Sequence, residues 1–62
     1  MGTIEDVVEF LRFNGVIKGN TVSYNGIIHY AESVSIILGL SPEESIKQLL
    51  SYLNKNGYVV VG

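Results

Sequence analysis

The sequence predicts an α+β domain in which three helices pack around a small antiparallel β-sheet. Apolar residues recur at helical spacing in three segments, at about residues 3–13, 27–38 and 42–56. Runs rich in β-branched residues lie between the first two helices and after the third. A chain of 62 residues builds one small core, so we expect a single domain over residues 1–62.

Composition narrows the classes of protein that this chain can be. With 47% hydrophobic and 16% charged residues it is not a disordered tail, and without cysteine it has neither disulfides nor thiolate metal sites. The longest apolar-rich stretch, residues 26–40, is too short to span a membrane and carries His29 and Glu32. We therefore expect a cytoplasmic protein without a membrane span or a secretion signal.

The first helix is predicted over residues 3–13. Thr3 suits the N-cap, and Glu5 and Asp6 lie in the first turn, where the helix dipole favours carboxylates. One face is apolar and carries Ile4, Val7, Val8 and Leu11. Asn14-Gly15 is expected to end the helix.

Phe13 falls almost opposite the centre of that apolar face, at about 100° of rotation per residue. Its side chain either folds back under the following loop as the helix frays, or stays on the surface and contacts a partner. Phe13 is therefore a candidate partner-binding residue.

Residues 16–24 have the composition of a strand, which Gly19-Asn20 divides. This dipeptide fits a two-residue turn with positive φ, so we expect a β-hairpin with arms at residues 16–18 and 21–24. Asn25-Gly26 predicts a second turn that leads into the next helix.

The second helix is predicted over about residues 27–38, because apolar residues share one helical face there. They are Ile27, Tyr30, Ala31, Val34, Ile37 and Leu38. Gly39 is expected to close this helix, since glycine adopts the left-handed conformation without steric cost. Leu40 is expected to be the buried residue of the following turn.

The third and longest helix is predicted over Ser41–Asn56, with its cap included. Ser41 supplies an N-cap, Pro42 fits the first helical position, and Glu44 can complete a capping box with Ser41. Asn56-Gly57 predicts the end of the helix. Its apolar stripe consists of Ile46, Leu49, Leu50 and Leu53.

Residues 58–61 are aromatic and β-branched, which favours a strand with both faces partly covered. We expect this strand to pair with residues 21–24. Unless a hairpin covers its other side, that side is an open edge, which can bind an extended peptide or a second copy of the domain.

The residues needed for catalysis are not found at motif spacing. His29 is the single histidine, has no carboxylate partner at a motif spacing, and is expected to be an ordinary exposed or hydrogen-bonded side chain. No glycine-rich phosphate loop opens a helix, and Glu43-Glu44 is a helix start. We expect no enzyme activity, no metal and no cofactor.

Two helices joined by a glycine turn and followed by a strand resemble the winged helix-turn-helix family of DNA-binding domains. The resemblance covers essentially the whole chain and implies a helix-turn-helix core of three helices with a small sheet. The wing is expected to be reduced or absent, because residues 58–62 contain no return strand. Ser35 occupies the position four before the turn glycine, where the family has a small residue such as alanine. The resembling residues are Leu38-Gly39-Leu40-Ser41, then Ile46, Leu50 and Leu53, and then Asn56-Gly57-Tyr58-Val59.

The resemblance implies a domain of the transcription-regulator type that binds double-stranded DNA through the helix after the turn. Gln48 can pair with adenine, and Lys47 can reach guanine or phosphate. A homodimer is expected, because one recognition helix makes few contacts. The same polar face also suits an ordinary solvated helix surface. Its residues are Glu44, Lys47, Gln48, Ser51 and Lys55.

The net charge of −2 favours a different partner. Only four basic residues oppose six acidic ones, whereas DNA binders gain affinity from lysine and arginine at phosphates. The alternative is a protein-interaction winged helix, similar to the degenerate winged helices of ESCRT-type assembly proteins in lacking a basic wing. Its contact residues would be Phe13 and the strand edge at Tyr58, Val59, Val60 and Val61.

Overall fold

Four helices and three strands make up the computed structural model, which describes residues 1–62. The helices are α1 (Ile4–Phe13), α2 (Tyr24–His29), α3 (Ala31–Leu38) and α4 (Pro42–Lys55). The strands are β1 (Ile17–Lys18), β2 (Thr21–Ser23) and β3 (Val59–Val61). The predicted class, α+β with a helical core and a small sheet, is confirmed.

The sheet has the order β1-β2-β3 and is mixed, whereas the sequence predicted an antiparallel sheet. β1 and β2 form the expected antiparallel hairpin, with Ile17 opposite Val22. β3 pairs with β2 as predicted, but the two strands run parallel, with Val22 opposite Val60. A parallel pair needs a long crossover connection, and α2, α3 and α4 provide it. β3 is therefore an edge strand.

One core of eleven buried apolar residues lies between the helices and the inner face of the sheet. Side chains from both arms of the hairpin meet side chains from all four helices there, which is how a chain this short encloses a core. The buried residues are Val7, Val8, Leu11, Val16, Ile17, Val22, Ile27, Val34, Leu38, Leu49 and Leu53.

The ends of α1 and α4 lie where local signals predicted them. The Thr3 hydroxyl accepts from the Asp6 N–H at 3.2 Å, and the Asp6 carboxylate accepts from the Thr3 N–H at 2.9 Å, which completes a capping box. At the end of α4, the Tyr58 N–H donates to the Leu53 carbonyl at 3.0 Å. This bond satisfies a carbonyl that the last helical turn would otherwise leave unpaired.

Residues 24–26 begin a helix, so the predictions of a strand end at Tyr24 and a turn at Asn25-Gly26 are wrong. The Ser23 hydroxyl accepts from the Gly26 N–H at 3.0 Å and caps α2. Gly26 instead allows close packing, because a Cβ there would lie 2.8 Å from Val16 Cγ1. α2 therefore lies directly against the hairpin.

The predicted second helix is divided at Tyr30 into α2 and α3. Tyr30 has φ −101° and ψ 17°, outside the α-helical region. Its ring packs edge-on against Phe10 of α1, with the ring centroids 5.4 Å apart. The Tyr30 N–H still donates to the Gly26 carbonyl, and the Val34 N–H donates to the Tyr30 carbonyl. The division is therefore a bend at a residue that packs against α1.

The turn between α3 and α4 confirms the role of Gly39, which has φ +69°. Leu40 is 37% exposed, so the prediction that it is the buried residue of the turn is wrong. The turn is held through the Leu40 backbone: its N–H donates to the Ser35 carbonyl, and its carbonyl accepts from the Ser35 hydroxyl. Ser35 thus provides a hydrogen bond that alanine could not make at this position.

Candidate binding surfaces

The five side chains predicted to meet DNA lie together on the solvent-exposed face of α4. They recur every three or four residues, which places them in one stripe about 16 Å long at ~1.5 Å of rise per residue. We call this set the α4 stripe. All of its members are exposed, and they are Glu44, Lys47, Gln48, Ser51 and Lys55.

Packing of the opposite face of α4 sets the direction of this stripe. Leu49 and Leu53 are fully buried against the core, and so is Ser45. The Ser41 hydroxyl accepts from the Glu44 N–H at 3.2 Å and fixes where the helix begins. A helix whose buried face and start are both fixed presents one defined face to the solvent.

A shallow groove of about 370 Å³ follows the α4 stripe. All five stripe residues line it, together with Ile4 of α1 and Tyr52 of α4. Tyr52 lies at the margin of the stripe in sequence, but Ile4 comes from a helix that is distant along the chain. No local pattern could have identified Ile4, because its place in the groove depends on how α1 packs.

Charge is distributed unevenly along the chain. The first 46 residues contain all six acidic residues and two basic ones, a formal charge of −4. The last 16 contain Lys47, Lys55 and no acidic residue, a formal charge of +2, which completes the net −2. Most of the α4 stripe therefore belongs to the positively charged part of the chain.

Glu44 is the acidic end of the stripe and contacts Gln48. Its carboxylate accepts from the Gln48 side-chain N–H at 3.2 Å instead of returning to the Ser41 N–H. The capping box predicted for Ser41 and Glu44 is therefore only half formed. Gln48, which we predicted to pair with adenine, must release or share this bond to meet a base.

The outer edge of β3 is the second candidate surface. The Val59 N–H donates to the Asn20 carbonyl at 2.8 Å, so the Val59 backbone faces β2. Successive residues of a strand direct their N–H and C=O groups to opposite sides. The N–H and C=O of Val60 therefore point away from β2, at the open end of the strand order.

The side chains of β3 alternate between the two faces of the sheet. Val60 is half-buried and packs on the core, whereas Val59 and Val61 lie on the outer face and are 53% and 46% exposed. Both faces of this strand are therefore partly covered, as predicted, and the outer face is the more exposed of the two. Thr21 and Ser23 of β2 are opposite these two valines in the register and leave that face open.

The side chain of Tyr58 makes its contacts within the molecule. Its hydroxyl accepts from an Arg12 guanidinium N–H at 3.1 Å, and a second N–H of Arg12 donates to the Gly19 carbonyl at 2.9 Å. The ring also packs against the core. Of the four strand residues predicted to bind a partner, Tyr58 is the one that already contacts other elements through its side-chain tip.

Phe13 is 91% exposed at the end of α1. The interpretation that it folds back under the following loop is wrong, because the loop turns sharply at Gly15 and the Val16 N–H donates to the Leu11 carbonyl at 2.8 Å. This bond holds the loop against the face of α1 that is opposite Phe13. Ile36 of α3 is 77% exposed and was missed, although at about 100° per residue it lies almost opposite Val34 on the helix.

His29 lies edge-on to Tyr30, with their ring centroids 4.8 Å apart. No three His, Cys, Asp or Glu side chains lie close enough together to hold a metal ion. The longest helix, α4, has 14 residues, and no helix combines the length and the apolar content that crossing a bilayer requires. Most of the residues predicted to bind a partner lie on two surfaces, the α4 stripe and the edge of β3.

The chain matches no protein-family model and no solved structure.

Proposed function

We propose that this chain is a small DNA-binding module of the winged helix-turn-helix type, which places the α4 stripe against duplex DNA. The observation that supports it is the charge of the exposed face. Lys47 and Lys55 lie on the stripe with Gln48 and Ser51, and no acidic residue follows Lys47. Phosphate contacts by lysine supply most of the affinity of such modules.

Within the α4 stripe, the two lysines can contact phosphates and the two residues between them can contact bases. Lys47 and Lys55 are about 12 Å apart along the helix axis, so they can reach different phosphates. Gln48 and Ser51 lie between them, where a helix in the major groove meets base edges. Two lysines give weak binding, and we expect a dissociation constant of about 10⁻⁴–10⁻⁶ M, as for non-specific complexes.

The test is a fluorescence-anisotropy titration of random-sequence duplex DNA at several salt concentrations. The double variant Lys47→Gln/Lys55→Gln should reduce the slope of log K against log [salt] by about 1.8, because each phosphate contact contributes about 0.9. Lys47→Glu should abolish binding at moderate salt, since it reverses the charge at the centre of the stripe.

Lys18→Gln is the matched control. Lys18 is an exposed lysine on β1, and its replacement by glutamine removes one positive charge, as does each of the two substitutions in the double variant. It should leave the salt slope unchanged. Absence of binding by the original chain at low salt would contradict DNA binding. A reduction of the slope by Lys18→Gln that is half as large as that of the double variant would indicate attraction by overall charge alone.

Protein binding through the edge of β3 is the second candidate function. It is favoured by the outward N–H and C=O of Val60, beside the exposed side chains of Val59 and Val61. Two substitutions distinguish DNA binding from protein binding at the β3 edge. Val60→Pro should abolish a complex formed at the edge, and Lys47→Glu should leave that complex intact.

A further inference from the structure

The geometry points to a second copy of the same chain as the partner of the β3 edge, paired antiparallel about Val60. This inference rests on the second candidate function and is independent of DNA binding. Val60 alone in β3 directs both of its backbone hydrogen-bonding groups away from β2. When two such strands meet antiparallel, each Val60 N–H can donate to the other Val60 carbonyl, so a single residue provides a two-fold symmetric pair.

The outer face supports the same register. With Val60 opposite Val60, Val59 of one copy is opposite Val61 of the other, and such non-hydrogen-bonded pairs place their side chains close together. Val59 and Val61 are the two residues of β3 that are exposed in the monomer. Pairing would therefore bring four exposed valine side chains into contact on one face of a continuous six-stranded sheet.

Charge favours a second copy in this position. Most soluble proteins protect edge strands with lysine, proline or a bulge, but residues 56–62 contain no charged residue and no proline. Two copies can therefore approach along this strand without repulsion between like charges. A second copy can pair here without any other sequence, because the N–H and C=O of one Val60 match the C=O and N–H of the other.

The size of the strand sets the strength of the dimer. β3 has three residues, so the contact falls at the small end of protein interfaces, and we expect a dissociation constant of about 0.1 mM. Sedimentation equilibrium between about 10 µM and 1 mM should then show a shift from 6.8 kDa to twice that mass. A chain that stays monomeric at the highest concentration overturns the inference.

A charge-swap experiment tests the register. In Val59→Lys/Val61→Lys, each lysine at 59 faces a lysine at 61 of the other copy, and dimerisation should be lost. In Val59→Lys/Val61→Glu, the same positions bring opposite charges together, and dimerisation should be restored. Both positions are exposed in the monomer, so the fold should tolerate either pair, as circular dichroism can verify. Equal behaviour of the two variants would refute this pairing.

Two further measurements distinguish pairing at the β3 edge from non-specific hydrophobic association. Phe13→Ser replaces a highly exposed apolar residue outside the sheet and should leave the dimer unchanged. The Val60 amide should gain protection from hydrogen exchange as concentration rises, whereas the Val59 amide is already bonded to Asn20. Loss of the dimer in Phe13→Ser, or a Val60 amide whose protection is independent of concentration, would overturn the inference. Neither result would bear on DNA binding by the α4 stripe.

Discussion

Ser45 offers a direct test of how α4 is packed. The residue is fully buried, and its hydroxyl oxygen has no hydrogen-bond partner. Leaving a buried hydroxyl unpaired costs about 1–3 kcal/mol. Alanine removes that oxygen and favours the helix over serine by about 0.5 kcal/mol. We therefore expect Ser45→Ala to raise the free energy of unfolding by about 1.5–3.5 kcal/mol.

Ser51→Ala is the matched control, because Ser51 is an exposed serine in the same helix. It should gain only the helix-propensity contribution of about 0.5 kcal/mol. For 62 residues the entropy of unfolding is about 130 cal/mol/K, so 1 kcal/mol shifts the melting temperature by about 8 °C. The melting temperature of Ser45→Ala should therefore exceed that of Ser51→Ala by about 8 °C or more.

Thermal unfolding followed by circular dichroism, with urea denaturation as a second measure, gives both differences. Ser45→Ala should leave DNA affinity unchanged, since Ser45 faces the core and not the α4 stripe. If Ser45→Ala is no more stable than Ser51→Ala, the buried hydroxyl has a partner, and the description of this packing is wrong.

Three further substitutions test individual contacts by urea denaturation. Ser35→Ala should lower the free energy of unfolding by about 0.5–1 kcal/mol, because it removes the hydroxyl bond to the turn carbonyl; an unchanged value would refute that role. Gly26→Ala should lower it by about 1 kcal/mol or more, as its Cβ would meet Val16 at 2.8 Å, and a gain would show that α2 can move away. Tyr58→Phe should lower it by about 0.5–1 kcal/mol by removing the acceptor for Arg12, and no change would mean that water replaces the bond.

The sequence predicted the features of the fold that are encoded locally. Thr3 with Asp6, Gly39 in the turn, and Ser41 with Pro42 each act through backbone groups within three residues. The start of α2 is local as well, and the signal was present in Ser23, which caps it. That signal conflicted with the turn predicted at Asn25-Gly26, because asparagine and glycine are typical of turns.

Features that depend on the packing of distant segments were not predictable in this way. The bend at Tyr30 coincides with its contact to Phe10, twenty positions earlier. Leu40 and Phe13 are both apolar beside a turn, and only the path of the neighbouring chain decides how exposed each one is. The α4 stripe was predictable from helical periodicity, but its place beside Ile4 was not.

The parallel pairing of β2 with β3 has a consequence for the order of folding. Val22 and Val60 are opposite each other but 38 positions apart, and closing a loop of that length costs about 3 kcal/mol of chain entropy. The hairpin and the α3–α4 pair join segments that are close in sequence, so they can form first. β3 is then the last strand to dock, and until it does the backbone of β2 stays uncovered on that side. We therefore expect the closure of the sheet to be the slowest step in folding, after most of the helices have formed.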